Sequence, residues 1–346
     1  MDCTLDQVVE ALNYISPDEP RLEWVMVGMS LKAEFGEAGL DLFDNWSQGS
    51  DKYKRRDVLS TWKSIKPHGG IGLGSLIKKA KDNGWRPVKI ERDEKTHAAY
   101  LAELADRRAK AKRDAELSEA FHMRMANVVA DGCNSLIAGL HAFHDLAPSD
   151  YLNNKQVGVF GVYVASRSVV VVINDVEESF QIITGSKSIS DFFNGFDADA
   201  QPHLSVRHIK RGTVVIPLRD FERGIRSVQL VYPSGKKSFF KYGEKSGCYH
   251  GIGTLKDGAN LLCFAEGYAT AASIHMATGL PCVVAVDAGN LLPVAKKFRE
   301  RMPGLEILFC ADNDKNTKDN PGVMYATAAA NEIAAAVVVP EFGAKG

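Results

Sequence analysis

The chain has 346 residues, room for two or three domains, and its 45% hydrophobic, 25% charged composition is that of an ordinary globular protein. No apolar run approaches a membrane span, the acidic start has no signal-peptide character, and six scattered cysteines without Cys-x-x-Cys spacing argue against a zinc ribbon and for a reducing cytoplasm. A net charge of −1 conceals an uneven distribution: residues 1–50 hold two bases and ten acids, residues 51–90 eleven bases and three acids, and residues 201–250 ten bases and three acids. Two basic blocks in a neutral protein suggest a local polyanion track, although a solvated surface explains either block alone equally well.

Residues 1–90 read as a small helical domain. Thr4 is a good N-cap for a helix over Leu5 to Tyr14 with apolar Leu5, Val8, Val9 and Leu12. Trp24, Val27, Leu31 and Phe35 keep helical spacing up to Gly36, and Leu40, Phe43, Trp46, Val58 and Trp62 continue it. A glycine-rich loop, His68 to Gly74, precedes a helix over Ser75 to Asn83. Such a loop can hold phosphate, but without a preceding strand and a Lys-Ser/Thr ending it reads better as a turn. Residues 91–147 read as a linker, with a long exposed helix from His97 to Met125 laced with alternating charges. From Pro148 the texture becomes β-rich. Val157 to Val164, Ser168 to Ile173, Arg211 to Asp220, Ile225 to Tyr232 and Ser238 to Gly243 form a meander with bases at strand ends, placing a basic subdomain over residues 148–255.

From residue 256 the order is strand, helix, strand, helix, strand, helix, strand, which implies a parallel sheet with both faces covered. The spacing predicts strands over Leu261–Ala265, Cys282–Val286, Ile307–Ala311 and Val337–Val339, and helices over Tyr268–Thr278, Leu292–Arg301 and Met324–Ala336. The first strand breaks at Glu266-Gly267; the third ends in Asp312-Asn313-Asp314. Ligands bind at strand C-termini in such sheets, and carboxylates gathered there repel one another unless a cation sits among them. Hard oxygen donors of this kind suit Mg2+ or Mn2+ and phosphate chemistry. Asp287, at the end of the middle strand, could add a carboxylate, but Asp287-Ala288-Gly289-Asn290 is also a good turn.

Glu266-Gly267 and Asp312-x-Asp314 resemble the Toprim fold of primases, topoisomerases and some nucleases. The stretches Gly212 to Asp220, Gly224 to Gln229 and Phe239 to Tyr242 look like the basic subdomain ahead of Toprim in DnaG-type primases. Glu266 to Ala271 and Asp287 to Leu291 look like the branch carried by phages and conjugative plasmids, and residues 1–90 are similar to a helical module attached to such primases. The resemblance implies a multidomain α and α/β chain: helical module, helical linker, β-rich basic subdomain and, over 256–346, a Toprim catalytic domain. It implies a DNA-dependent RNA primase that joins NTPs on single-stranded DNA with Mg2+ or Mn2+ and without zinc, beside a replicative helicase and away from membranes. Catalysis would fall to Glu266, Asp312 and Asp314, with Glu266 a metal ligand or the general base and Asp287 a further ligand. Arg211, Arg219, Arg226, Lys241 and Lys315 would meet template or triphosphate, or else be surface bases. A Toprim-fold nuclease and a non-catalytic single-stranded DNA-binding module are the rival readings; a topoisomerase fits worst, because no tyrosine-bearing cleavage domain is recognisable. The usual zinc-binding domain is missing, and the chain stops soon after Pro340, where relatives often continue, so it also reads as a fragment of a longer protein.

Overall fold

The structure, a computed structural model, describes residues 4–65, 71–87, 94–141, 148–255, 260–313, 315, 317 and 319–341. The chain divides into two compact units, Met1–Phe121 and His122–Gly346.

The first unit is helical: α1 (Leu5–Leu12), α2 (Arg21–Phe35), α3 (Gly39–Ser47), α4 (Arg55–Ser64) and α5 (Leu73–Asp82). Thr4 caps α1 as expected, accepting from the Gln7 amide at 3.2 Å while the Gln7 side chain accepts from the Thr4 N–H at 3.1 Å. Gly36 ends α2 with a φ of 59°, a conformation open to glycine at little cost. The apolar stripes converge on one core in which Leu31, Phe43, Trp62, Leu76 and Trp85 are buried. Residues 66–70, which include the start of the glycine-rich loop, lie outside the described residues.

A 48-residue helix, α6 (Glu94–His141), runs through the expected linker. Its second half is not an exposed connector. Met125, Val129, Cys133 and Leu136 repeat at helical spacing and are buried, and Gly132 lies so close to Phe180 that a Cβ there would come within 2.2 Å of its ring. This half of α6 falls within the second compact unit. The charge-rich first half hides this: Lys110, Lys112 and Arg113 are indeed exposed, and Lys112 pairs with Glu116 at 3.8 Å.

The second unit holds three sheets. After α7 (Asp150–Lys155), β1 (Tyr163–Val164), β5 (Val214–Asp220), β6 (Gly224–Val231) and β7 (Lys237–Phe239) form an antiparallel sheet in the order β1-β5-β6-β7. A second antiparallel sheet, β3-β2-β4, comprises β2 (Val169–Asn174), β3 (Ser179–Thr184) and β4 (Leu204–Ile209), with α8 (Ser186–Gly195) between β3 and β4. The strand expected over Val157–Val164 shrinks to two residues. The preceding loop is instead pinned by Tyr268, whose hydroxyl donates to the Gly158 carbonyl at 2.9 Å and accepts from the Phe160 N–H at 2.8 Å. The elements α7, β3, α8 and β4 have no counterpart in the sequence expectations.

The third sheet matches expectation closely. Its elements are β8 (His250–Ile252), β9 (Leu261–Ala265), α9 (Tyr268–Thr278), β10 (Cys282–Val284), α10 (Leu291–Arg301), β11 (Glu306–Cys310), α11 (Pro321–Ile333) and β12 (Ala336–Val338), and the strand order is β12-β11-β9-β10-β8. The four strands from β9 on are parallel; β8 adds an antiparallel edge. Alternate residues of β9 explain its unbroken apolar run. Leu262 and Phe264 enter a core with α10 and α11, while Cys263 and Ala265 enter another with α9 and the β5–β6 sheet. Phe264 and Phe309 are fully buried, so truncating either to Ala would cost about 3–5 kcal/mol.

Candidate functional site at the strand ends

The strand order places the chemistry. From β9 the chain crosses one way to β10 and then back over to β11, so the sheet's switch point lies between β9 and β11. Ala265 is in register with Cys310, and Glu266 and Asp312 follow them on strands about 4.8 Å apart. Asp312 accepts from the Thr270 hydroxyl at 3.1 Å, and α11 begins directly against it: a Cβ on Gly322 would lie 2.3 Å from the Asp312 carbonyl oxygen. Only glycine fits there. Asn313 braces the same loop, its amide donating to the Pro340 carbonyl at 2.8 Å and accepting from Asn320 at 2.9 Å. Asp314 lies outside the described residues, and Lys315 is exposed in the turn.

Asp312 lines a cavity of about 470 Å³. Its other walls are the start of α9 (Gly267, Ala269, Thr270), α7 (Tyr151, Asn154, Lys155), the Pro233-Ser234-Gly235 turn and Lys237. Gly267 caps α9 without a side-chain acceptor, so the first amides of the helix keep their hydrogens for a ligand. The Lys237 ammonium lies 3.7 Å from where a Gly267 Cβ would be. Lys155 and Lys237 are exposed and have no acidic partner among the described residues. Neither stands out in the sequence; the Gly235-Lys236-Lys237 turn is the signal that could have found Lys237.

Asp287 is placed differently. It caps the short turn after β10, accepting from the Asn290 N–H at 3.1 Å, and pairs with Lys245 at 2.6 Å. The preceding Val286, buried and β-branched, has a φ of 68°, a strained conformation, and its carbonyl accepts from the buried Gln229 amide at 3.3 Å. Asn290 holds this loop with all its capacity. It donates to the Cys248 and Ala285 carbonyls at 2.9 and 2.8 Å and accepts from the Gly247 N–H at 2.7 Å.

The basic residues separate into two groups. Arg211 and Arg219 are exposed. Arg226 is buried, bonded to Glu244 and, at 2.7 Å, to Asn127 of α6. Burial opposes ionisation of Glu244, but Arg226 and Arg223 overcome it and hold the carboxyl below its usual range. Lys241 pairs with Asp175 and sits 4.8 Å over the Tyr242 ring. The fold has thus already engaged Arg226 and Lys241, which the sequence pattern groups with the ligand-binding bases.

The donor set fits a divalent cation. Glu266 and Asp312 are hard oxygen donors on adjacent strand ends, and no Lys or Arg pairs with Asp312 among the described residues. No cluster of three His, Cys, Asp or Glu is formed among the described residues, so a fuller ligand shell would draw on Asp314 or on substrate phosphates.

Two family models match. Residues 8–80 match Primase C terminal 2 (PriCT-2), and residues 260–340 match the Toprim domain. The chain is 35% identical over 133 residues to a DNA primase TraC of Escherichia coli, covering 37% of this chain and 9% of that protein. A second Escherichia coli DNA primase TraC is 33% identical over 144 residues, covering 41% of this chain and 14% of its own length. The match thus spans a small part of these relatives. Two solved structures share limited likeness: a DnaG catalytic core (15% identity, TM-score 0.35, 60% of this chain and 66% of that one) and the RNA polymerase domain of Mycobacterium tuberculosis primase DnaG (17%, 0.35, 65% and 75%). The chain thus carries a PriCT-2 match in its helical unit and a Toprim match over its parallel sheet, and part of it is similar to DNA primase TraC.

Proposed function

We propose that this chain synthesises short RNA primers on single-stranded DNA from NTPs, releasing pyrophosphate at each addition. The observation that carries the reading is the cavity in which Asp312, the uncapped start of α9 and two exposed lysines, Lys155 and Lys237, converge beside Glu266. A carboxylate and cations around one cavity match a metal-bound triphosphate rather than a free anion or a free metal ion.

Lys155, Lys237 and the first amides of α9 bind and orient the phosphates. Thr270 fixes the Asp312 carboxylate so that it faces the cavity in one rotamer. Glu266 and Asp312, with Asp314, would hold the divalent cation, Mg2+ or Mn2+, which would supply charge neutralisation at the reacting phosphate. Arg211, exposed in the turn before β5, and Arg219, exposed on β5, contact template phosphates. A replicative helicase would supply the unwound template.

The test is incubation of the purified chain with mixed-sequence single-stranded DNA, four NTPs and Mg2+ or Mn2+, beside an Asp312→Ala control. Short labelled RNA that vanishes in the control is the expected result. Shortened template would instead establish a nuclease on the same fold, and DNA binding indifferent to the metal and to Asp312, without product, a binding module.

A further inference from the structure

A second cavity lies wholly within the helical module. It measures about 470 Å³ and opens between the start of α2, the end of α3 and the segment leading into α4. Trp24 and Tyr53 supply its aromatic walls, and both polar ends are tied down. The Trp24 indole donates to the Ser47 hydroxyl at 3.0 Å, and the Tyr53 hydroxyl to Asp44 at 2.9 Å. Trp24 also packs on buried Phe43 with centroids 4.7 Å apart, so its ring is held as a fixed plate.

The charges at the rim are unequal in availability. Of the acids, Asp18 accepts from the Ser50 hydroxyl at 2.5 Å, and Glu19 is paired with Lys79 at 3.3 Å. Of the bases, Lys52 and Lys54 line the cavity and Arg55 and Arg56 follow them in the chain; all four are exposed and have no acidic partner among the described residues. Arg21 lies 5.9 Å over the Trp24 ring, where its guanidinium can also meet an anion. Rigid aromatic plates beside a row of exposed cations form the arrangement that takes up single-stranded nucleic acid, with nucleobases on the rings and phosphates on the cations. Three acids at the wall, the held Asp18 and Glu19 and the exposed Asp57, oppose a free carboxylate ligand.

We infer that this cavity in the helical module is a second single-stranded DNA site, taking one or two nucleotides of template outside the catalytic unit. The inference rests on the primase reading for its choice of ligand. Residues 8–80 would then grip the template independently of the metal site.

The test uses the full chain and a fluorescent oligonucleotide carrying 5-iodo-deoxyuridine, without NTPs or metal. Irradiation should yield cross-links to Trp24 or Tyr53, located by mass spectrometry of the digested protein. Lys52→Glu/Lys54→Glu/Arg55→Glu should weaken binding at least ~10-fold and flatten its salt dependence by about two phosphate contacts, while circular dichroism stays unchanged. Since all three side chains are exposed, loss of folding is not the expected outcome; the milder triple Gln variant should give a smaller loss in the same direction. Cross-links confined to residues 122–346, with affinity unaltered by the Glu variant, would overturn the inference and leave the primase reading standing. No binding to single-stranded DNA by the unaltered chain would overturn both.

Discussion

Arg219 and Arg226 lie on neighbouring strands of one antiparallel sheet and carry the same charge, but the fold uses them differently. Arg226 points inward, where Glu244 and the Asn127 amide occupy its guanidinium. Arg219 sits at a register shift in β5, its backbone paired with Tyr249 at 2.7 and 3.0 Å and its side chain in solvent. The same contrast separates Asp220 from Asp312. Asp220 is buried against Lys297 at 2.6 Å, whereas Asp312 receives one hydroxyl donor and faces a cavity. A charge whose partner is supplied by the fold stabilises the fold; a charge left facing a cavity is available to a ligand.

The largest expected effect tests the cavity side of this contrast. Asp312→Asn should lower primer synthesis by at least ~100-fold, with DNA affinity and melting temperature near those of the parent. A rate within about threefold of the parent would remove Asp312 from the chemistry. Gly322→Ala should come next, at roughly 10–100-fold, because the added methyl must displace the Asp312 backbone. Replacing Gly322 with Ala without loss of rate would show that the loop has slack the structure does not suggest.

The fold side is tested by stability. Arg226→Met leaves Glu244, about a third exposed, without its closest partner and should cost about 2–3 kcal/mol in urea unfolding. Arg219→Met should cost under about 0.5 kcal/mol but weaken binding of single-stranded DNA. If the two variants exchanged phenotypes, the division drawn above would fail.

The smallest effect concerns pH. Burial opposes ionisation of Asp220, but Lys297, the Glu222 N–H and Arg223 outweigh it and hold the carboxyl well below the usual carboxylate range. Its folded-state pKa being depressed, its contribution is fully present above the unfolded value near ~4 and is lost as pH falls from there toward the folded value. Lys297→Met should therefore lower stability at about pH 7 by about 1 kcal/mol, since Lys297 is a third exposed, and shrink the further loss between about pH 4 and 2. An unchanged acid profile would show that Lys297 does not set it.

The parallel sheet was legible because local pattern and tertiary role coincide there: each strand is an unbroken apolar run, each helix is punctuated, and the acids fall where a switch point needs them. The β3–α8–β4 excursion was not, because none of the residues of α8 is buried and its amphipathic spacing has no cap to mark it. The burial of Arg226 was not legible, because its partners, Glu244 and Asn127, are distant in sequence and only the fold brings them together. The roles of Thr270 and Gly322 were hidden for the same reason: each matters through one contact with Asp312, which is distant from Thr270 in sequence and meets both only in the fold.

The strand order β12-β11-β9-β10-β8 also sets a schedule for biosynthesis. Glu266 leaves the ribosome on the strand that becomes central, but its neighbour on the Asp312 side is made only after α9, β10 and α10, and α11 must then dock through Gly322 before Asp312 is fixed. The helical module, by contrast, closes its core from contacts within residues 8–85, all of which precede β9 in the chain. If the proposed roles of the two units hold, a nascent chain would have its DNA-gripping module folded before its strand-end site is assembled, so an interrupted translation product would occupy template without priming it.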